Sequence, residues 1–319
     1  MMAWRVAVQM DPIETVNVDA DTTFALMEEA QARGAELFVY HPDQLAWQEG
    51  RIMARARPVR VKHIQGEHAD LGEVRTLDLA SDVDVILMRQ DPPFDMAYQT
   101  AAHLLEMLKG QTLVLNDPFW VRSSPEKILP LLYPEIIPPT LITRDLTALT
   151  GFRDRYEDII IKPLYGNGGA GVFRLKPGDG NFSALLETFF AQSREPVIAQ
   201  AFLPAVSAGD KRILIIDGVP VGAINRVPQS GQTRSNMHVG GVAEPSDLSD
   251  SDMRICDAIG PILKERDLVL VGIDVIGDRL TEINVTSPTG LQEINALNDV
   301  CLEAQLWDAF EKRFKDMKK

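Results

Sequence analysis

Apolar residues recur along this chain with two periods, and the switch between them marks its organisation. Residues 5–10 alternate into a short buried strand that closes at Asp11-Pro12. Residues 22–33 have helical spacing, with Phe24, Met27 and Ala30 on the inward face, and the pattern stops before Gly34, the usual place of a C′ residue. Residues 36–40 read as a second strand. Residues 83–88 form a continuous apolar run of the buried-strand kind, closing at Arg89-Gln90-Asp91-Pro92-Pro93. A helix over 96–109 and a strand over 112–115 follow. Strands alternating with helices predict a mostly parallel, covered sheet for the first third of the chain. Ligands of such sheets bind beyond the carboxyl ends of strands, where Asp11, Arg89 and Asn116 fall.

After the proline-rich stretch 134–139, which reads as a boundary, the pattern changes. Residues 159–162 and 172–175 are expected as strands flanking a glycine-rich loop, 181–193 as a helix and 197–203 as a strand. Two hairpins follow. One pairs 212–216 with 219–227 around Asp217-Gly218, the other pairs 269–276 with 280–285 near Gly277-Asp278. Between them, residues 228–245 are rich in Gly, Ser and Gln and carry no period, as in a disordered segment or a functional lid. No internal repeat or low-complexity tract stands out.

Composition narrows the function classes. A chain of 319 residues suits two or three subdomains around a sizeable core. With 24% charged and 45% hydrophobic residues it is an ordinary globular protein. A formal net charge of −14 argues against nucleic acid or an anionic membrane as partner through a broad basic surface, and leaves room for a local cationic pocket. Cys256 and Cys301 are far apart and form no C-x-x-C, so a reducing compartment and two small core residues are expected. No signal peptide or transmembrane run is read, which points to the cytoplasm.

Two segments carry chemistry. Gly166-Asn167-Gly168-Gly169-Ala170-Gly171 satisfies G-x-G-x-x-G, but a strand is expected after it where a dinucleotide fingerprint needs a helix, and no G-K-[ST] occurs in the chain. A strand–loop–strand flap remains: glycine N–H groups can approach phosphate oxygens, and Lys162 can extend its ammonium to the same place. The alternative is a plain glycine-rich turn beside a solvated lysine. In the second segment Glu282 and Asn284, two apart on a strand, share one face, and a carboxylate with an amide oxygen makes half of a hard-cation site. A three-residue hairpin loop would put Asp274 opposite Glu282, and a two-residue loop would turn it away. The alternative is a solvated strand face. Arg212 can stabilise charge developing on a transferred phosphoryl group or tetrahedral intermediate, or simply belong to a charged strand start. Arg89 can pair with a substrate carboxylate or form a structural ion pair with a nearby Asp. Arg226 and Arg234 can be lid residues or solvated loop arginines, and Ser287 and Thr289 can bind a substrate carboxylate or turn around Pro288.

These residues have a family resemblance. Met10-Asp11-Pro12-Ile13, the 85–95 segment ending Asp91-Pro92-Pro93-Phe94-Asp95, Ile161-Lys162-Pro163-Leu164, Gly209-Asp210-Lys211-Arg212, the 271–280 segment and Thr281-Glu282-Ile283-Asn284-Val285-Thr286-Ser287-Pro288-Thr289 resemble bacterial glutathione synthetase, an ATP-grasp ligase, over nearly the whole chain. The resemblance implies an α/β, ATP-grasp fold: an N-terminal parallel-sheet substrate domain (1–123), a small central lid (124–200) and a C-terminal metal-binding antiparallel-sheet domain (201–319). It implies ATP as substrate, contacted by Lys127, Lys162, Gly166, Gly168, Gly169, Gln200 and Leu203. It places Mg2+, with Mn2+ as the alternative, on Asp274, Glu282 and Asn284, and Arg212 at the transferred phosphate. Arg89, Arg226, Ser287 and Thr289 would bind γ-glutamylcysteine or glycine. The 228–243 stretch would be a mobile cover, and the protein a homo-oligomer, a tetramer by resemblance. The reaction implied is phosphorylation of the cysteinyl carboxylate to an acyl phosphate, followed by attack of glycine's amine. Gly290 and Gln292 depart from the family pattern near the acceptor site, and segment 51–80 matches it poorly.

Overall fold

The computed structural model describes residues 4–227 and 242–319, so Arg234 and most of the expected 228–243 cover lie outside the described residues. The first part of the chain contains β1 (Arg5–Gln9), α1 (Thr22–Ala32), β2 (Glu36–Tyr40), β3 (Leu45–Gln48), β4 (Arg51–Val61), β5 (Ala69–Leu71), β6 (Arg75–Asp78), β7 (Val85–Met88), α2 (Met96–Glu106), β8 (Leu113–Leu115) and α3 (Pro118–Ser123). Helix α1 begins where the Asp21 carboxylate accepts the Phe24 N–H at 2.6 Å, and Gly34 follows its end at φ +86°. Strands β2, β1, β7 and β8 pair in parallel in that order, as the apolar runs predict.

The sheet is more mixed than expected. Segment 51–80, where no elements were assigned, supplies the eleven-residue β4, which runs antiparallel to β2, β3, β5 and β6. Its Ile52, Ala54 and Ala56 alternate inward, and Val59 and Val61 resume on the far side of Pro58. Arginines at the outward positions mask that alternation in a reading by composition.

The middle of the chain builds β9 (Thr140–Thr143), α4 (Leu146–Tyr156), β10 (Ile159–Pro163), β11 (Phe173–Leu175), α5 (Phe182–Gln192) and β12 (Val197–Ala201). Its antiparallel sheet has the order β11-β10-β12-β9. Its apolar side chains, Leu149, Ile159, Ile161, Phe182 and Leu186 among them, form a core of their own. The last part contains β13 (Asp210–Ile216), β14 (Val219–Val227), β15 (Val242–Pro245), α6 (Asp250–Glu265), β16 (Leu270–Ile276), β17 (Arg279–Asn284), α7 (Leu291–Asn298) and α8 (Leu302–Met317), with an antiparallel sheet ordered β15-β14-β13-β16-β17.

The first and last parts share continuous apolar cores, whereas the middle sheet does not join them. Asn116 rivets the two that are joined. Its Nδ2 donates to the carbonyls of Leu270 and Val285, each at 2.8 Å, and its Oδ1 accepts the N–H groups of Val269 (2.8 Å) and Leu270 (3.0 Å). A residue expected at a ligand-binding strand end is thus a buried structural amide with its polar atoms committed. Cys256 is buried, and burial pushes its thiol up to about 12, but Cys301 is exposed at the start of α8, not in the core as expected. No helix among the described residues is long and apolar enough to cross a membrane.

Candidate active site

The floor of the site is the β16–β17 hairpin, which combines the shorter of the two expected loops with the pairing expected of the longer one. The loop is the two-residue Gly277-Asp278, with Ile276 opposite Arg279 and Val275 opposite Leu280. A bulge then inserts Thr281, so that Asp274 stands opposite Glu282 after all. The Thr281 hydroxyl donates to the Asp274 carbonyl at 3.0 Å and holds the bulge. Asn284, opposite Gly272, donates to Asp274 Oδ2 at 3.4 Å. Ile283 and Val285 fill the core on the other face.

Two arginines converge on Asp274. Arg212, across β13 from it, gives Nε to Oδ1 at 2.6 Å and Nη2 to Oδ2 at 3.2 Å. Arg226, on β14, reaches Asp274 Oδ1 at 3.0 Å and Asp210 Oδ2 at 2.7 Å. Burial alone would raise Asp274, but the two guanidiniums hold it well below the usual carboxylate range. Burial pushes Asp210 up to about 6, against the pull of Arg226. Gly272 lies beneath Arg212, where a Cβ would come within 3.1 Å of Nη1 and 3.0 Å of Pro288.

Two lysines converge on Glu282. Lys162, near the end of β10, lies 3.0 Å from Oε1, and Lys127 lies 3.6 Å from the same oxygen. Lys127 also donates to the Gly166 carbonyl at 2.6 Å and to its neighbour Glu126, a carboxylate the sequence reading passed over. Burial would raise Glu282 too, and the two ammoniums bring it below its ordinary value, while burial and Glu282 itself push Glu126 up. Both lysines therefore sit on a carboxylate that spans the middle sheet and the last one.

Between those sheets opens a cleft of about 150 Å3, lined by Lys162, Gly169, Gln200, Leu203, Asp274 and Glu282 among others. Gln200 hydrogen-bonds Thr140 at 3.1 Å, and Phe202 and Leu203 continue the wall. The glycine loop joins β10 to antiparallel β11, so a strand follows it, as expected. Gly168 and Gly169 take positive φ (62° and 75°), Gly169 reaches the cleft, and Gly166 instead packs on Pro163 and meets Lys127.

A second cavity, of about 400 Å3, lies at the carboxyl ends of β1 and β7 and is lined by Asp11, Asp21, Arg89, Ser287, Thr289 and Glu293 among others. Arg89 is only 6% exposed. Its Nε donates to Thr23 and its Nη2 to the Pro288 carbonyl, both at 3.1 Å, and it forms no ion pair within 4.0 Å among the described residues. That leaves a buried cation facing a cavity, and burial lowers its hold on the proton. Ser287 donates to the Arg89 carbonyl at 3.3 Å. Arg226, expected beside the substrate, is carried by β14 under Asp274, where it lines the first cleft. Arg212 joins the two cavities: while two of its nitrogens hold Asp274, Nη1 donates to the Thr289 carbonyl at 3.0 Å.

The two departures noted above have structural reasons. Gly290 takes φ +107°, strained for any side chain, and a Cβ there would come within 3.3 Å of Arg212 Cγ. Gln292 donates to the carbonyls of Val18 (2.9 Å) and Asp21 (2.6 Å), so it ties down the loop before α1.

Comparison with known proteins agrees with this arrangement. Residues 4–122 match the prokaryotic glutathione synthetase N-terminal domain, and residues 126–299 match the prokaryotic glutathione synthetase ATP-grasp domain. The glutathione synthetase of Brucella melitensis biotype 1 is 57% identical over 98% of this chain and 100% of its own length. That of Agrobacterium fabrum is 53% identical over 97% of each chain. Among solved structures, D-cycloserine synthetase DcsG aligns with a TM-score of 0.67 at 15% identity, covering 97% of this chain and 99% of its own. The ATP-grasp ligase PsnB, solved with a phosphomimetic precursor variant, Mg and ADP, aligns with a TM-score of 0.60 at 19% identity over 99% of each chain. At such identities these two share the fold.

Proposed function

The chain belongs to the prokaryotic glutathione synthetase family, and we propose that its two cavities divide that family's reaction between them. The protein is an ATP-dependent ligase that joins γ-glutamylcysteine to glycine. ATP occupies the cleft between the middle and last sheets, γ-glutamylcysteine enters the cavity at Arg89, and the cysteinyl carboxylate meets the γ-phosphate at Arg212. The observation that carries this reading is Arg212 itself, which touches the wall of both cavities through Asp274 and Thr289. The division into 1–123, 124–200 and 201–319 goes with it, supported by three sheets of which the middle one has its own core.

A carboxylate approaching a triphosphate meets strong repulsion. Each unit pair costs ~1 kcal/mol at 4 Å in water and roughly 4 at a surface-like dielectric. Lys127, Lys162, Arg212 and Arg226 gather four positive charges against it. Asp274, Glu282 and Asn284 fit a divalent cation: two carboxylates kept ionised and an amide supply hard oxygen donors on adjacent strands. Mg2+, or Mn2+ in its place, would neutralise phosphate charge there when bound. Lys127 and Lys162 then leave Glu282 for phosphate oxygens, while the N–H groups around Gly169 cover them. Arg89 pairs with a carboxylate of the peptide, and Ser287 fixes the backbone behind it. The acyl phosphate stays dry because the middle sheet, with its separate core, can close over the cleft.

A coupled ADP-release assay with each component omitted in turn tests this function. ADP formation that needs ATP, a divalent cation, γ-glutamylcysteine and glycine together supports it. Equal turnover with D-alanine as both amino-acid substrates overturns it.

A further inference from the structure

Amide formation has a requirement that the groups assigned so far do not meet. Glycine arrives as an ammonium, without a lone pair, and must lose a proton beside the acyl phosphate. The carboxylates of the first cleft are committed: Asp274 to two guanidiniums, Asp210 to Arg226, and Glu282 to two ammoniums or to the cation that would replace them. In the second cavity Asp21 accepts the Phe24 N–H at 2.6 Å, Asp11 accepts the Asp91 N–H at 2.8 Å, and the Asp91 side chain belongs to an exposed residue.

Glu293 differs from these. It lines the second cavity in the first turn of α7, and its Oε2 is shut away from solvent with no hydrogen-bond partner among the described residues. A glutamate at a helix start is ordinarily a solvated group that complements the helix dipole, and that role needs no buried, unpartnered oxygen. The start of α7 also lies against the reacting centre, since Gly290 is within 3.3 Å of Arg212 Cγ when given a Cβ, and Thr289 accepts from Arg212 Nη1.

We propose that Glu293 receives the incoming amine: it binds the ammonium of glycine and takes the proton that leaves before nitrogen attacks. This rests on the ligase reading above. The ammonium gives one proton to the Glu293 carboxylate. The freed amine forms the C–N bond, the C–O bond to phosphate breaks, and phosphate leaves with that electron pair. The second amine proton goes to the departing phosphate, so one N–H remains on the amide. Burial raises the proton affinity of Glu293, opposed by its own backbone N–H and by Arg212, which brings it nearer to that of a working base. The other charged groups around the cavity are Asp11, Asp21, Asp91 and Arg89.

Hydroxylamine separates this role from a structural one, because it is already uncharged at neutral pH and needs no base. Glu293→Gln is isosteric. With ATP, Mg2+ and γ-glutamylcysteine, it should form glutathione from glycine about 100-fold or more slowly than the unmodified enzyme, the usual size of a lost general base. Its hydroxamate formation from hydroxylamine should stay near the unmodified rate, and Glu293→Asp should regain part of the glycine rate. Equal loss of amide and hydroxamate, or full glycine turnover in Glu293→Gln, overturns the proposal. Absence of ADP from the unmodified enzyme with ATP, Mg2+, γ-glutamylcysteine and glycine all present would instead refute the ligase reading itself.

Discussion

Arg212 grips Asp274 in a buried two-point pair, Nε to Oδ1 at 2.6 Å and Nη2 to Oδ2 at 3.2 Å, and still has a nitrogen for the Thr289 carbonyl. Removing one partner of a buried pair leaves the other charge uncompensated. Here Arg226 keeps Asp274 partly paired, so Arg212→Ala should cost about 3 kcal/mol, the low end for such losses. Urea unfolding would measure it. The same variant should lose at least about 100-fold in kcat/KM, because it also lacks the charge at the transferred phosphoryl group. Activity near that of the unmodified enzyme would remove Arg212 from the reacting centre.

Lys162 and Lys127 share one carboxylate oxygen of Glu282. If they exchange that oxygen for phosphate, Lys162→Met should weaken ATP by about 10- to 100-fold, the worth of one hydrogen bond to a charged group. The KM for γ-glutamylcysteine should move little. Isothermal titration with a non-hydrolysable ATP analogue reads the first effect, and steady-state kinetics the second. Unchanged analogue affinity would put Lys162 outside the phosphate site.

Asn116 makes four hydrogen bonds that join the first part of the chain to backbone groups of the last. Asn116→Ala strands several buried backbone groups at about 1–3 kcal/mol each, so a loss of at least about 3 kcal/mol is expected in denaturant unfolding. What survives folding should keep its KM for ATP. A stable variant with raised KM would return Asn116 to the binding site.

His63 lies between Glu28 and Asp19, with ring nitrogens 2.9 Å from each, and these carboxylates raise its proton affinity. Raised folded-state affinity means the contribution to stability is fully present below the unfolded value of about 6.5 and is lost as pH rises through the folded value. The urea midpoints of the unmodified protein and His63→Ala should differ at pH 5.5 and converge at alkaline pH. A gap that widens with pH contradicts this pairing.

Much of this was legible in the sequence because local pattern and local geometry agree. The run at 83–88 and the alternation at 5–10 became the parallel strands that present Arg89 and Asp11, and the glycines after Lys162 became a strand-flanked loop. Three features were not legible, each for a physical reason. The bulge at Thr281 depends on a hydroxyl finding a carbonyl across the hairpin, which spacing alone does not reveal, so the observed pairing of Asp274 with Glu282 was expected only from a longer loop than the one present. Strand β4 alternates small alanines with arginines, a weak hydrophobic signal made into a strand by four partners. Asn116 owes its role to residues more than a hundred positions away. Gly290 and Gln292 departed from the family pattern near the acceptor site, and the structure gives them a positive φ and a hydrogen-bonded tie to the loop before α1.

In the proposed reaction the peptide carboxylate takes the γ-phosphate at Arg212 before the amine attacks. γ-Glutamylcysteine labelled with 18O in its cysteinyl carboxylate tests it in a single turnover with ATP, Mg2+ and glycine. An acyl phosphate requires one labelled oxygen in each phosphate released. Unlabelled phosphate alongside newly formed glutathione would contradict it.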